Sequence, residues 1–360
     1  MYLGDKMRAV MEVKTSVFNK NIDIIEKIAK GKIIMPVIKA NAYGTYINKN
    51  IDIINRFDIV GVAVVDEGIE LRKIGYRKDI FVLNEPSTDD IDKIIKYNIT
   101  MGVCDKLILE NMIKTKSKIK VHLEIETGMN RTGINIENLE NILKLLKGTN
   151  VIVEGIYTHL SSADKDIDYT NEQLKKFREA VSLAKKYYDL KYIHSSASSG
   201  LLKYDDGVSN TVRPGIIMYG YKPYKDANID VEPICKLKAK IVFIKEVEQS
   251  SSISYSRTFI APKKMKIATI QIGYADGIRR ELSNKGKVVI NNKLCNIVGN
   301  ICMDSLMVDV TNIDVKVGDY AYIWDNNLIK LDDIANICNT INYEIMTCIS
   351  YRVPRVFIDK

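Results

Sequence analysis

Lys39 closes the apolar run Ile33-Ile34-Met35-Pro36-Val37-Ile38 and is followed by Ala40-Asn41-Ala42-Tyr43-Gly44. A β-branched run of this kind reads as a buried strand with a lone lysine at its carboxyl end. Burial there disfavours the ammonium and lowers the pKa, giving the neutral amine that a Schiff base requires. An arbitrary strand-end lysine instead extends to water. The turn distinguishes this one: Gly44 permits a tight turn, and Tyr43 offers a hydroxyl able to bind an anion.

Further reactive groups follow in order. In His122-Leu123-Glu124-Ile125-Glu126-Thr127-Gly128-Met129-Asn130-Arg131-Thr132-Gly133, period-2 alternation places His122, Glu124 and Glu126 on one face. Arg131, on a loop braced by Gly128 and Gly133, has the planar fork that suits a carboxylate or a phenolic oxygen. Tyr157-Thr158-His159 presents a histidine that, alone, reads as a structural hydrogen-bonder. His194-Ser195-Ser196-Ala197-Ser198-Ser199-Gly200 is a hydroxyl-rich turn, and Val212-Arg213-Pro214-Gly215-Ile216 follows it. The Ser198 hydroxyl with the N–H groups of Gly215 and Ile216 forms a set of donors for a phosphate.

These groups need elements that bring them together. Strands are expected at Ile33–Ala40, Ile59–Val65, Asp79–Asn84, Thr100–Cys104, Lys120–Glu126, Val151–Thr158, Tyr192–Ser196 and Thr211–Tyr219. Amphipathic helices are expected between them at Val17–Ala29, Glu67–Ile74, Ile91–Tyr97, Ile136–Leu146 and Asn171–Tyr188. Strands alternating with helices in this number predict an α/β chain closed into a (β/α)8 TIM-type barrel over residues 12–226, with reactive groups at the strand ends. His122, Glu124 and Glu126 then face the lumen, and the loops after the seventh and eighth strands cradle the phosphate. An open doubly wound sheet is the alternative, but no GxGxxG follows the first strand. From residue 227 to 360 short strand runs dominate (Ala239–Val247, Lys266–Ile272, Lys287–Ile290, Lys293–Val298, Ser305–Asp309, Tyr320–Trp324), with one helix near Leu331–Cys338. They predict a mostly β C-terminal domain, which residues 1–11 could join.

Composition narrows the function class. The chain has 360 residues, 46% hydrophobic, which suffices for two domains with real cores. Its net charge of +8 comes from 53 Lys and Arg interspersed with 45 Asp and Glu, without the basic stripe of a nucleic-acid binder. Six cysteines without a CxxC pair argue against both a zinc site and a disulfide framework, and suit a reducing cytosol. Met1 to Val13 lacks the apolar core of a signal peptide. No apolar run approaches the roughly 20 residues that span a bilayer. A cytoplasmic protein with no nucleic-acid, membrane or metal partner is expected.

The succession from the Lys39 segment to Val212-Arg213-Pro214-Gly215, continued by Ser254-Tyr255-Ser256, Ile272-Gly273-Tyr274-Ala275-Asp276-Gly277, Gly299-Asn300-Ile301-Cys302-Met303-Asp304 and Ile349-Ser350-Tyr351-Arg352, closely resembles the alanine racemase family over nearly the whole chain. The resemblance implies pyridoxal 5'-phosphate (PLP) joined to Lys39. Tyr43 and Ser198, with the amides of Gly215 and Ile216, would hold the phosphate, and His159 would lie against the pyridine ring. Arg213 would face the pyridine nitrogen, and Arg131 and the Met303 amide would take the substrate carboxylate. Tyr351 would line the gate near Tyr43. Lys39 and Tyr255 of the partner subunit would act as bases on opposite faces, in a homodimer with shared active sites that interconverts L- and D-alanine.

The chain departs from the family pattern at three places. Glu124 stands where many members carry a carbamylated lysine, and a glutamate there could orient Arg131 directly. Asn300 replaces an arginine near the entrance, and Ala197 an asparagine. The rival readings are a racemase of wider specificity for serine or basic amino acids, a PLP decarboxylase using Cys302, and a non-catalytic PLP carrier. The last lacks a β domain.

Overall fold

The structure, a computed structural model, describes residues 7–359. The described chain separates into two compact units. One holds 7–17, Tyr43–Tyr46 and 233–359; the other holds Phe18–Ala42 and Ile47–Glu232.

Strand β1 (Ala9–Lys14) belongs to the first unit. The second unit is the barrel, whose strands are β2 (Ile33–Ile34), β3 (Ile59–Val62), β4 (Asp79–Val82), β5 (Thr100–Val103), β6 (Ile119–Glu124), β7 (Val151–Tyr157), β8 (Tyr192–His194) and β9 (Thr211–Val212). Strands β3 to β8 form one parallel sheet in chain order, and β2 pairs in parallel with β9. The ring is joined by a Val37–Gly61 bridge between the β2 and β3 segments and by the Arg213 N–H donating to Ser196 O at 2.9 Å beside β8. Eight parallel strands thus surround a lumen, as expected.

The first and last barrel strands are far shorter than their apolar runs. Pro36 and Pro214 supply no N–H and cannot continue a ladder. The chain therefore leaves the strand before Lys39 and before Gly215. Residues Ile216–Tyr219 form a 3-10 turn instead of a strand.

Aromatic side chains fill the lumen. Met35, Ile59, Phe81, Tyr157 and Tyr192 pack as one buried cluster. Two strand glycines make room for the larger groups. A Cβ on Gly155 would lie 2.7 Å from Tyr192 O and 2.8 Å from the His122 ring, and one on Gly102 would collide with the Tyr157 hydroxyl.

The first unit is built on the long strand β10 (Cys235–Val247), with the hairpin β11 (Ser252–Ile253) and β12 (Phe259–Ile260) and strands β13 (Met265–Ile270), β14 (Lys287–Ile290), β15 (Lys293–Asn296), β16 (Leu306–Asp309), β17 (Tyr320–Trp324) and β18 (Arg355–Asp359). The sheet runs β15-β14-β17-β10-β1-β18, and β13 joins β10 to β16. Strand β1 lies between β10 and β18, antiparallel to the first and parallel to the second. The helix Asn342–Thr347 and the strand β18 add to the elements that the sequence pattern predicts.

Candidate active site

Directly after Lys39 the backbone turns left-handed. Ala40, Asn41, Ala42 and Tyr43 have φ between 51° and 55°. Such residues cost roughly 1–2 kcal/mol each outside glycine, so their surroundings must hold them. Glu67 does so in the barrel unit. Its Oε1 accepts the Ala40 N–H at 2.6 Å and its Oε2 the Ala63 N–H at 2.7 Å, tying the lysine turn to the end of β3. The sequence pattern gave Glu67 only as a helix residue. Its signal was an acid in a helix first turn directly after a strand.

Lys39 itself has its pKa lowered, first by burial and then by Arg131 and Arg213, against an opposing pull from Glu67. Two cations and a desolvated setting favour the neutral amine. Arg213 is buried and held by carbonyls. Its NH1 donates to His194 O at 2.8 Å and its NH2 to Thr158 O at 2.8 Å and Ser195 O at 3.1 Å. Burial lowers its pKa to about 10, which leaves it charged at neutral pH.

Arg213 fixes the protons of a histidine chain. Its NH1 lies 2.6 Å from His194 Nδ1, and His194 Nε2 lies 2.9 Å from His122 Nδ1. A guanidinium only donates, so His194 Nδ1 accepts and its proton sits on Nε2. His122 Nδ1 then accepts in turn, and the His122 proton is on Nε2, an atom with no hydrogen-bond partner. Both rings are neutral. Burial drives the His122 pKa down to about 3 and that of His194 well below its ordinary value. Phe81 stacks on His122 with ring centroids 4.4 Å apart, and Tyr157 stacks on His194 at 5.0 Å.

His159 sits at the barrel mouth with Nδ1 3.5 Å from Arg213 NH2. By the same argument it accepts there and carries its proton on Nε2. Burial, then Arg213, lowers its pKa to about 3, so it too is neutral. Ser198 opens the helix Ser198–Lys203, and its Oγ accepts the Gly215 N–H at 3.0 Å. Ile216 begins the next turn, where N–H groups lack partners within the turn. Ser198 and Gly215 are thus held side by side, with Ile216 next in the chain.

Two expectations on β6 need correction. His122 and Glu124 are buried in the lumen, but Glu126 is not: β6 ends at Glu124, and the Glu126 carboxylate accepts the N–H groups of Gly128 and Asn130 in the following loop. Glu124 does not pair directly with Arg131. Its carboxyl accepts the Tyr157 hydroxyl at 3.1 Å. Burial raises its pKa first of all; hydrogen bonds from Thr132 and Tyr157 and the charge of Arg131 oppose this. Arg131 is exposed on its loop, and among the described residues no ion pair joins it to Glu124.

The remaining candidates lie in the β unit. Tyr43 is buried there, its ring centroid 5.9 Å from that of Tyr343. Burial holds its phenol protonated, a hydrogen-bond donor at all ordinary pH. Tyr255, Met303 and Tyr351 are instead exposed, at 70%, 53% and 85%. The Met303 and Tyr351 loops are joined through the 275–276 turn: the Ala275 N–H donates to Met303 O at 3.0 Å, and the Ser350 N–H to Asp276 O at 3.0 Å.

A parallel barrel with a half-buried lysine in the turn after its first strand, followed by a mostly β unit, is the plan of the two-unit racemase class. Residues 13–223 match the N-terminal domain model of alanine racemase and residues 234–357 the C-terminal domain model. The alanine racemase of Clostridium tetani is 40% identical over 94% of this chain and 92% of its own. The solved alanine racemase of Clostridium difficile 630 superposes with a TM-score of 0.93 at 33% identity, covering 98% of this chain and 96% of that one. The alanine racemase of Bartonella henselae, solved with covalently bound pyridoxal phosphate, gives a TM-score of 0.89 at 25% identity over 98% of this chain and all of its own length, 100%. The chain belongs to the alanine racemase family.

The residues present fit the family's cofactor. Arg213 Nε is the guanidinium nitrogen to which no described residue hydrogen-bonds, so one donor is left for a ligand. The Ser198–Gly215–Ile216 cradle supplies phosphate donors, and Lys39 supplies the amine.

Proposed function

We propose that the protein interconverts L- and D-alanine with PLP held on Lys39, a proton leaving one side of Cα and another returning on the opposite side. The observation that carries this reading is Lys39, whose ammonium is disfavoured by burial and by two arginines. When bound, PLP withdraws electrons from the substrate's α-carbon and acidifies its C–H bond.

The protein's residues do the rest. Ser198 and the N–H groups of Gly215 and Ile216 bind the phosphate, with the Tyr43 phenol as a further donor. Arg213 offers Nε to the pyridine nitrogen. An arginine cannot accept a proton, so it disfavours a charged ring, limits electron withdrawal and favours rapid return of the proton over transamination. Arg131 and the Met303 amide bind the substrate carboxylate, and Tyr351 lines the gate.

Lys39 serves one side of Cα and Tyr255 of the partner subunit the other. A free phenol titrates near 10, so the partner's Tyr255 needs help. His159 gives it, with Nδ1 held by Arg213 and Nε2 left toward the phenol. The exposure of Tyr255, Met303 and Tyr351 supports a homodimer in which each β unit completes the neighbouring barrel's site, in the cytoplasm.

A coupled assay of purified protein with L-alanine, L-serine, L-lysine and L-arginine tests the substrate. Fastest turnover of alanine supports the reading. A larger rate on serine or on a basic amino acid would move the function to a broader racemase.

A further inference from the structure

The resemblance implies that Asn300 stands near the substrate entrance, and in the structure its side chain is turned inward. Asn300 is 8% exposed. Its Nδ2 donates to the Tyr255 carbonyl oxygen at 2.9 Å, and Ser254 Oγ donates to the Asn300 carbonyl at 2.5 Å. No other side chain bonds the Tyr255 main chain among the described residues.

The loop so held is strained. Ser254, Ser256 and Arg257 lie at φ of 66°, 61° and 50°, on both sides of Tyr255. Non-glycine residues persist there only where neighbours over-determine them. The second tie is Asn284, whose Nδ2 donates to Thr258 Oγ1 at 3.1 Å while its Oδ1 accepts the Gly299 N–H at 2.6 Å. Gly299 has φ of +78°, and a Cβ there would lie 2.6 Å from Ile253 O and 2.7 Å from Ser254 Cβ. Residues 299–300 are therefore pressed against the tyrosine loop. The Tyr255 phenol hydrogen-bonds to no described residue and the residue is 70% exposed, so this backbone alone fixes where its Cα–Cβ bond points.

We propose that Asn300 is a positioning residue for Tyr255, clamping the strained loop so that the phenol projects from the β unit in one orientation. This rests on the reading of Tyr255 as a base. Asparagine suits the place because its amide both fits the buried space and donates to a carbonyl. An aspartate of the same shape presents only acceptors to that carbonyl and breaks the clamp.

The test uses full-length, PLP-loaded enzyme with 3-fluorotyrosine replacing Tyr255 alone, read by fluorine NMR beside steady-state kinetics. Asn300→Asp is expected to move the resonance toward that of a solvent-mobile fluorotyrosine and to lower kcat about ten- to a hundredfold, since misplacement of a reacting group by 1 Å costs on that order. KM should change little, and Asn300→Gln, which keeps the donor, should restore part of both. Should Asn300→Asp fail to fold, Asn300→Ser, too short to reach the carbonyl, is read in the same way. An unchanged resonance, or a moved resonance with unchanged kcat, overturns the proposal. Tyr255→Phe separates the two readings. If it still exchanges the α-proton of both enantiomers with D2O, Tyr255 is not a base, while the fluorine response to Asn300→Asp still decides the clamp.

Discussion

The histidine chain behind Arg213 makes a prediction that can be worked through. His122 is fully buried and ends the chain with an unpartnered Nε2. It is neutral in the folded protein and takes up a proton only on unfolding. Below the unfolded pKa of about 6.5 the unfolded chain therefore binds more protons, and stability falls as pH falls toward the folded value. The loss at pH 5.5 is set by the unfolded pKa, because the folded value, about 3, lies far below. It amounts to about 1.4 kcal/mol for this one residue. His122→Phe removes that contribution and also leaves His194 Nε2–H without its acceptor, at a cost of about 1–3 kcal/mol at neutral pH. Urea unfolding of wild type and His122→Phe at pH 7.5 and 5.5 measures both. The wild type should lose about 1.4 kcal/mol more than the variant between the two pH values. The chain has only 3 histidines, so nitrogen-15 labelling of histidine gives a readable spectrum, with His122 and His194 both protonated on Nε2. A His122→Phe protein with the wild-type pH slope, or a His122 signal titrating near 6.5, would refute the buried neutral state, and a His122 protonated on Nδ1 would refute the tautomer argument.

Other outcomes follow from single contacts. Gly155→Ala should destabilise the barrel by about 1–3 kcal/mol in urea unfolding, because the new methyl meets the His122 ring and Tyr192 O. Glu67→Gln keeps one acceptor where two N–H groups need one each; it should cost about 1–2 kcal/mol of stability and lower kcat by loosening the Lys39 turn. Activity should not respond to added bicarbonate, since Glu124 already carries a carboxyl where a lysine would need carbamylation. A bicarbonate-dependent rate would contradict that.

The barrel was legible because its strands are short apolar runs spaced by amphipathic helices, and the ends of the first and the last four carried reactive side chains in order. The end strands were read too long, since apolar content continues past Pro36 and Pro214 although the ladder does not. Glu126 was read into the lumen by carrying alternation past the true end of β6, where Gly128 and Asn130 capture it. The tautomers of His122 and His194 had no sequence signal, because they depend on which ring nitrogen meets Arg213. The Asn300 contact had no sequence signal for a related reason: its amide donates to a main-chain carbonyl 45 positions away, and residue type alone does not encode that.

The central claim, that a lysine of one subunit and a tyrosine of the other share one site, is tested most directly by complementation. Lys39→Ala and Tyr255→Phe chains, each expected to be nearly inactive alone, are co-expressed and their mixed dimers assayed for racemisation. If the partner's Tyr255 completes the site, each mixed dimer holds one intact Lys39–Tyr255 pair, and random pairing restores about a quarter of wild-type activity. Activity no higher than that of the two parents would show that both residues act within one chain, or that Tyr255 is not a base, and would contradict the account.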